Sequence, residues 1–475
     1  MSAFFEALNQ YQQRPVFKYN NQAGQVTTIS YETLAQSCQD FSIALANAAG
    51  FAQSFPHRQL IFVLAGNYLS AMVTYLTCLQ QNHVLMLLDE NINSYQLETL
   101  IKAYQPNLIV SGEQITHCHN QDIVLDKNLA LLLSTSGSTG SPKQVALSQA
   151  NLQSNASSIC AYLPIDSDHT TITTLPMNYS YGLSVINSHL QVGACVFLNQ
   201  ASIVDREFWQ ILETQKINSL AGVPYFWEMM LRLGITKKEL PFLYYFTQAG
   251  GKLAPKRVQR LQQYAQKHHK SFYLMYGQTE ATARMTYLAP ERLAEKPESI
   301  GQAIPGGTLQ LLDEQGDEIQ TPHCQGQLVY AGDNVMQGYA EQQAQLAQFT
   351  PQAVLATGDL AYFDEQGDVF ITGRMTRFIK IHGLRVSLDD VEKQLQEKQL
   401  EARAVGEDNA LQVVITRTSL AAARISEAEC VTLLAAFIRV HHATIRCVAV
   451  DTIFTTANGK TDYVAIAGLF AAVEQ

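Results

Sequence analysis

Leu129-Ala130-Leu131-Leu132-Leu133 runs straight into Ser134-Thr135-Ser136-Gly137-Ser138-Thr139-Gly140-Ser141-Pro142-Lys143, and Val145-Ala146-Leu147 follows. The first apolar run reads as a buried strand, and the third segment as another. The stretch between them leaves the end of a strand carrying hydroxyls, flexible glycines and one lysine. Such a loop can wrap phosphate oxygens with backbone N–H groups pointing inward, the lysine supplying charge. A solvated Ser/Gly linker would not be flanked by apolar strands on both sides. A Walker A loop requires Gly-x-x-x-x-Gly-Lys-Ser/Thr; here Pro142 precedes Lys143 and Gln144 follows it, so that motif is absent.

Working outward, Leu60 to Leu64, Val84 to Leu88 and Leu108 to Val110 are further short apolar runs. The segments between them are long enough for crossover helices, which predicts an α/β core with parallel strands. After about residue 300 the texture changes. Gly301 to Gly307, Asp313 to Asp317 and Gly326 to Gly338 put closely spaced turns between short strands, as in a β-rich subdomain. Asp364 to Asp368 is a turn, followed by Val369-Phe370-Ile371 and Gly373-Arg374. Beyond lies a compact α+β tail. Ser387 with Asp390 predicts a capping box, starting a helix with Leu388, Val391 and Leu395 on one face. The expected architecture is a large N-terminal α/β domain, 1–374, with parallel-rich sheets and a β-rich subdomain, and a small mobile α+β C-terminal domain, 375–475.

With 475 residues, the chain is long enough for more than one core. A hydrophobic share of 47% with 16% charged residues is that of a globular protein. The formal charge of −10 argues against nucleic acid as a partner, which needs a basic face. The eight cysteines form no CxxC pair, which predicts buried free thiols in a reducing compartment rather than zinc or redox motifs. The N-terminus shows no signal-peptide pattern, and the apolar stretch Val464 to Val473 is too short to span a membrane. The expectation is a cytoplasmic protein without membrane insertion.

Tyr276-Gly277-Gln278-Thr279-Glu280, Thr357-Gly358-Asp359, Gly373-Arg374, Gly383-Leu384-Arg385 and Asn458-Gly459-Lys460-Thr461-Asp462-Tyr463 follow the loop in order. With it they resemble the signatures of the adenylate-forming superfamily: acyl- and aryl-CoA synthetases, adenylation domains of nonribosomal peptide synthetases, and firefly luciferase. The likeness recurs from about Leu60 to Tyr463.

The resemblance implies an ATP-dependent acid–thiol ligase. It activates a carboxylic acid as acyl-AMP with pyrophosphate release, then passes the acyl group to coenzyme A or to the phosphopantetheine of a separate acyl or peptidyl carrier protein. It also implies roles. Thr135, Ser136, Gly137, Ser138, Thr139, Gly140 and Lys143 hold phosphate. Tyr276 packs on adenine, Gly277 beside it belongs to the nucleotide-binding residues, Thr279 contacts the α-phosphate, and Glu280 helps hold Mg²⁺. A hard cation with oxygen ligands suits the meeting of ATP with a carboxylate, both anions. In Gln248-Ala249-Gly250-Gly251-Lys252 the two glycines let backbone approach the nucleotide. Asp359 and Arg374 hold the ribose hydroxyls. Lys460 bridges the substrate carboxylate and the α-phosphate, offsetting charge that builds during attack. In a second pose Gly383 shapes a pantetheine tunnel, because one cleft must serve two chemistries.

Several positions depart from the pattern. Gln144 stands where glycine is usual, Thr376 occupies the hinge, and Tyr463 replaces the final arginine. Asn178 and Tyr179 replace an aromatic–histidine pair. Ser180 stands where amino-acid-activating domains place an aspartate. A buried ammonium lacking that partner would be costly, which favours a fatty, aryl or other organic acid. Tyr181, Val223, Pro224, Tyr225 and Trp227 are candidates to line the acyl pocket. Amino-acid adenylation for a separate carrier protein is the alternative, as is a non-catalytic nucleotide or acyl sensor. A luciferase-like enzyme would consume oxygen, and a phosphotransferase would release ADP.

Overall fold

The computed structural model describes residues 3–50, 57–119, 122–134, 143–375, 377–381, 384–407, 409–456 and 460–471. The chain divides into two compact units, residues 1–309 with 330–355, and residues 310–329 with 356–475.

The first unit holds two large mixed sheets. In the seven-stranded sheet, Leu129–Ser134, Val84–Asp89, Leu60–Ala65 and Leu108–Ser111 lie parallel, in that spatial order. These are the four predicted runs. Helices Leu69–Gln80 and Ser94–Tyr104 make the crossovers. Strand residues pointing to both faces are buried, which is why the sequence there is continuously apolar rather than alternating. Gln144–Ser148 and Gly338–Ala340 add antiparallel strands on one side. The nine-stranded sheet runs parallel through Ser271–Tyr276, Tyr245–Gln248, Ser219–Gly222, Thr170–Ile172, Cys195–Phe197 and Pro15–Asn20. Helix Ser180–Gln191 is buried along its whole length. Its Gly182 admits no side chain, since a Cβ there would lie 2.3 Å from the Pro176 carbonyl oxygen.

In the second unit, Leu355–Phe363 and Val369–Arg374 form an antiparallel pair around the Asp364 to Asp368 turn. Ala402–Glu407, Ala410–Thr416 and Ile445–Val450 build a three-stranded sheet packed by Leu388–Glu397 and Glu427–Ile438. Leu388, Val391 and Leu395 are buried as their spacing requires. Only half of the expected capping box forms among the described bonds. Ser387 Oγ accepts the Asp390 N–H at 3.1 Å, and no reciprocal bond from the shorter aspartate side chain accompanies it. Full boxes occur at Ser148/Asn151 and Ser426/Glu429. Among the described residues no helix is long and apolar enough to cross a membrane.

Candidate active site

In the first unit, Ser134 pairs with Gln144 across the hairpin, so residues 135–143 leave from the carboxyl end of a parallel strand. Open α/β sheets bind ligands at that edge. Thr135, Ser136, Gly137, Ser138, Thr139 and Gly140 lie outside the described residues. Lys143 is described. Its Nζ lies 4.0 Å from the centroid of the Tyr339 ring.

The second motif leaves the carboxyl end of Ser271–Tyr276 and enters a single 3₁₀ turn, Thr279–Ala281. Gly277 is obligatory: a Cβ there would sit 1.6 Å from the Ala283 carbonyl oxygen. Thr282 and Ala283 both carry positive φ, 54° and 94°, a strained arrangement for residues with side chains. Asn334 holds it in place, its Nδ2 donating to the Ala281 and Arg284 carbonyls at 2.8 and 2.9 Å. Thr282 Oγ1 donates to the Asn334 carbonyl at 2.6 Å. Thr279 is buried and shares a 3.1 Å hydrogen bond with Ser180 Oγ. Tyr276 OH accepts from Gln278 Nε2 at 3.2 Å. Glu280 Oε1 accepts from Tyr339 OH at 2.9 Å. Among the described residues no cation lies within ion-pair distance of Glu280. A half-buried carboxylate left in this way suits Mg²⁺, which keeps several waters and takes one or two protein carboxylates plus phosphate oxygens. Gly250 has φ +85°, a conformation glycine alone adopts readily, and Gln248 Nε2 donates to the Gly251 carbonyl at 2.8 Å.

In the second unit, Asp359 and Arg374 are direct cross-strand partners. Arg374 Nε donates to Asp359 Oδ1 at 2.9 Å; the carboxylate is buried and the guanidinium is exposed. Thr357 Oγ1 accepts the Asp359 N–H at 3.0 Å and donates to the Leu328 carbonyl at 2.7 Å, fixing the turn before the strand pair. The Thr456 N–H donates to the Lys460 carbonyl at 2.7 Å, and Thr455 bridges Thr461. Thr376, Gly383, Asn458 and Gly459 lie outside the described residues.

The first unit therefore brings together Lys143, Thr279 and Glu280 with Ser180 and Tyr339, and the second joins Asp359 to Arg374. Tyr339 and Asn334 were not among the sequence candidates. Both sit in a turn-rich stretch far along the chain, where nothing local marks an anchor. The proposed acyl-pocket aromatics fare unevenly. Trp227 is core: fully buried, its Nε1 donating to the Thr247 carbonyl at 3.0 Å, its ring against Phe226 and Phe246. Tyr225 is half exposed. Tyr181 is buried, with its hydroxyl 2.8 Å from Thr247 Oγ1.

The AMP-binding enzyme family model matches residues 119–340, the segment that carries the loop and the Tyr-Gly-x-Thr-Glu turn. That segment is similar to the AMP-binding enzyme domain. Among curated relatives, the D-alanine–D-alanyl carrier protein ligase of Bacillus velezensis is 30% identical over 321 residues, 64% of this chain and 62% of the relative. The oxalate–CoA ligase of Arabidopsis thaliana is 31% identical over 269 residues, 55% of this chain and 51% of the relative. The chain thus matches between about half and three fifths of their lengths. ATP-bound MatB from Rhodopseudomonas palustris superimposes with a TM-score of 0.80 at 19% identity, covering 99% of both chains. The chain therefore has the fold seen in the adenylate-forming enzymes, and the curated relatives it resembles are ligases named for coenzyme A or a carrier protein.

Proposed function

We propose that the chain is an ATP-dependent acid–thiol ligase. One observation carries the reading: a single ring, Tyr339, links the lysine of the phosphate loop to the glutamate of the Tyr-Gly-x-Thr-Glu turn. Two motifs distant in sequence share one side chain, as a common nucleotide site requires. In this reading Lys143 neutralises phosphate charge, and Thr279 Oγ1, held by Ser180, donates to the α-phosphate. Glu280 holds Mg²⁺, which supplies charge neutralisation on the phosphates when bound. Asp359 and Arg374 take the ribose. The acid's carboxylate oxygen attacks the α-phosphorus and pyrophosphate leaves. Lys460 offsets the charge that accumulates on the phosphorus oxygens. A thiol then attacks the acyl carbon and AMP leaves. We assign residues 1–374 to the adenylating domain and 375–475 to a lid that rotates between the half-reactions, with Gly383 in the thiol pose.

The acceptor is coenzyme A or a carrier-protein phosphopantetheine, and the compartment is cytoplasmic, where the eight free thiols would persist. Ser180 in place of an aspartate supports an acid without an α-ammonium group. The likeness to a D-alanine ligase keeps amino-acid activation as the second reading.

The test is pyrophosphate release with ATP and Mg²⁺ against organic, aryl and amino acids. Wild type is run beside Lys460→Ala, with coenzyme A or a phosphopantetheinylated carrier as acceptor. Acid-dependent release that drops about 100-fold or more in Lys460→Ala is expected. Absence of acid-dependent release across the panel would overturn the ligase reading.

A further inference from the structure

Among the described residues of the first unit, Arg284 is the one arginine or lysine that is fully buried, 1% exposed. Among the described residues no aspartate or glutamate lies within ion-pair distance of it. Its partners are neutral: Nε donates to Ser184 Oγ at 3.1 Å, and Nη1 meets Tyr162 OH at 3.3 Å and Met275 Sδ at 2.6 Å. The guanidinium carbon lies 4.4 Å from the centroid of the Tyr181 ring. Among the described residues these hydrogen bonds use Nε and Nη1, and none uses Nη2. The nearby phenols do not supply the missing charge. Burial pushes Tyr162 up to about 12 and raises Tyr181 as well, so both stay neutral. A buried cation without an anion is among the costlier arrangements in a protein interior. A purely structural site would be served better by an apolar residue.

Its position says what the missing anion belongs to. Ser180 and Ser184 are one turn apart on helix Ser180–Gln191, and so lie on one face about 6 Å apart. Ser180 is bonded to Thr279, beside the reacting end of the proposed site, and Ser184 is bonded to Arg284. The cation thus stands one helical turn from the phosphate-contacting threonine, against Tyr181. Backbone strain at Thr282 and Ala283 separates the two ends, and Asn334 pins the Arg284 carbonyl.

We infer that the acid this chain activates is a dicarboxylic acid, and that Arg284 binds the carboxylate that is not adenylated. The inference rests on the ligase reading and names its substrate class. Nη2, the nitrogen these bonds leave over, can donate a charge-assisted hydrogen bond to a carboxylate, whereas an acid ending in a methyl group leaves the cation unpaired. Ser180 in place of an aspartate agrees with it, because a second anion there would repel the substrate.

The test is ATP–pyrophosphate exchange with length-matched pairs: propanoate and malonate, butanoate and succinate, pentanoate and glutarate, hexanoate and adipate. At least one diacid should exceed its monoacid by about 100-fold in kcat/KM. Its monomethyl ester, with the same backbone but a methyl in place of the second charge, should lose at least the same factor in wild type, a comparison that needs no folded variant. In Arg284→Met, checked for folding by thermal melting, the ratio should fall to about 1, with Arg284→Lys between. Exchange in which monoacids or the ester match the diacids would overturn the inference and leave the ligase reading intact. No acid-dependent exchange at all would overturn both.

Discussion

The Tyr339 hydroxyl donates to Glu280 Oε1 at 2.9 Å while Lys143 Nζ lies 4.0 Å from the centroid of the same ring. Burial and then the Glu280 charge push the phenol well above its ordinary range, so it remains a donor at any working pH. A hydrogen bond to a charged acceptor contributes about 1.5–3 kcal/mol, and an exposed cation–π contact about 0.5–1 kcal/mol. The hydroxyl is therefore the stronger tie, and Tyr339 acts as a positioning residue for Glu280.

Tyr339→Phe keeps the ring and removes the donor. Adenylation should fall about tenfold, with the Mg²⁺ concentration for half-maximal rate rising; Tyr339→Ala should lose somewhat more. A purely structural role would lower the rate without moving the Mg²⁺ dependence, so an unchanged Mg²⁺ midpoint in Tyr339→Phe would count against the assignment.

Tyr463 stands where the resembling family carries arginine, and the second unit explains why the exchange works. Arg377 Nη1 donates to Tyr463 OH at 2.6 Å and its carbon lies 4.1 Å from the ring centroid. Arg377 is already paired with Asp389 at 2.9 Å and Glu392 at 2.6 Å, and Arg403 approaches Glu392 at 4.0 Å. Burial, then Glu392, pushes Tyr463 up to about 12, which keeps it neutral. Tyr463→Phe should cost about 1 kcal/mol of stability. Tyr463→Arg, although it restores the familiar residue, should cost more, about 1–3 kcal/mol, because it adds a third guanidinium around Glu392. Denaturant unfolding of the full chain decides the order; an arginine variant as stable as wild type would show that the cluster relaxes to admit it.

The seven-stranded sheet was legible because its central strands are buried on both faces. Leu60 to Leu64 and Leu129 to Leu133 need apolar residues at every position, and no helical period competes. The cross-strand pairing of Asp359 with Arg374 was legible as two motifs, although their contact was not. What could not be read are the bonds between distant segments. Ser180 with Thr279, Asn334 with the strained Thr282–Ala283 turn, and Tyr339 with Glu280 each depend on where an edge strand or a helix docks. Arg284 carries no local mark of burial, lying one residue before Met285 and four after Glu280. Trp227 failed in the opposite direction: an aromatic cluster near a Pro suggested a pocket, and its volume fills the core instead.

His189 gives the fold an acid limit. It is buried in helix Ser180–Gln191, with Nδ1–H donating to the Val185 carbonyl at 2.7 Å. Burial lowers it to about 4 from an ordinary 6.5. Between those values the unfolded chain binds a proton that the folded chain does not, so stability rises with pH across this window and falls as pH drops from 6.5 toward 4. The shift corresponds to about 3 kcal/mol in full. His83, also buried and lowered to about 4, adds a second proton over the same range. Urea unfolding from pH 7 to pH 4.5 should show steep loss, and His189→Gln should make the slope shallower by about one proton. An identical slope in that variant would mean that His189 opens to solvent before the chain unfolds.

Asp359 and Arg374 offer the sharpest check on the ribose assignment. The carboxylate is buried against an exposed guanidinium, so one oxygen is held at 2.9 Å by Arg374 Nε and the strand register fixes its direction. If a ribose hydroxyl donates to this carboxylate, ATP should bind more tightly than 2′-deoxy- or 3′-deoxy-ATP by about tenfold or more, the value of a hydrogen bond to a charged acceptor. Asp359→Asn should weaken ATP binding and level the difference between ATP and at least one deoxy analogue. Arg374→Lys should also weaken binding, because an ammonium cannot span neighbouring oxygens as a planar guanidinium does. Calorimetric titration with the three nucleotides reads all of this without turnover. Wild type that binds ATP and both deoxy analogues alike would reduce the pair to a lock on the register of two strands.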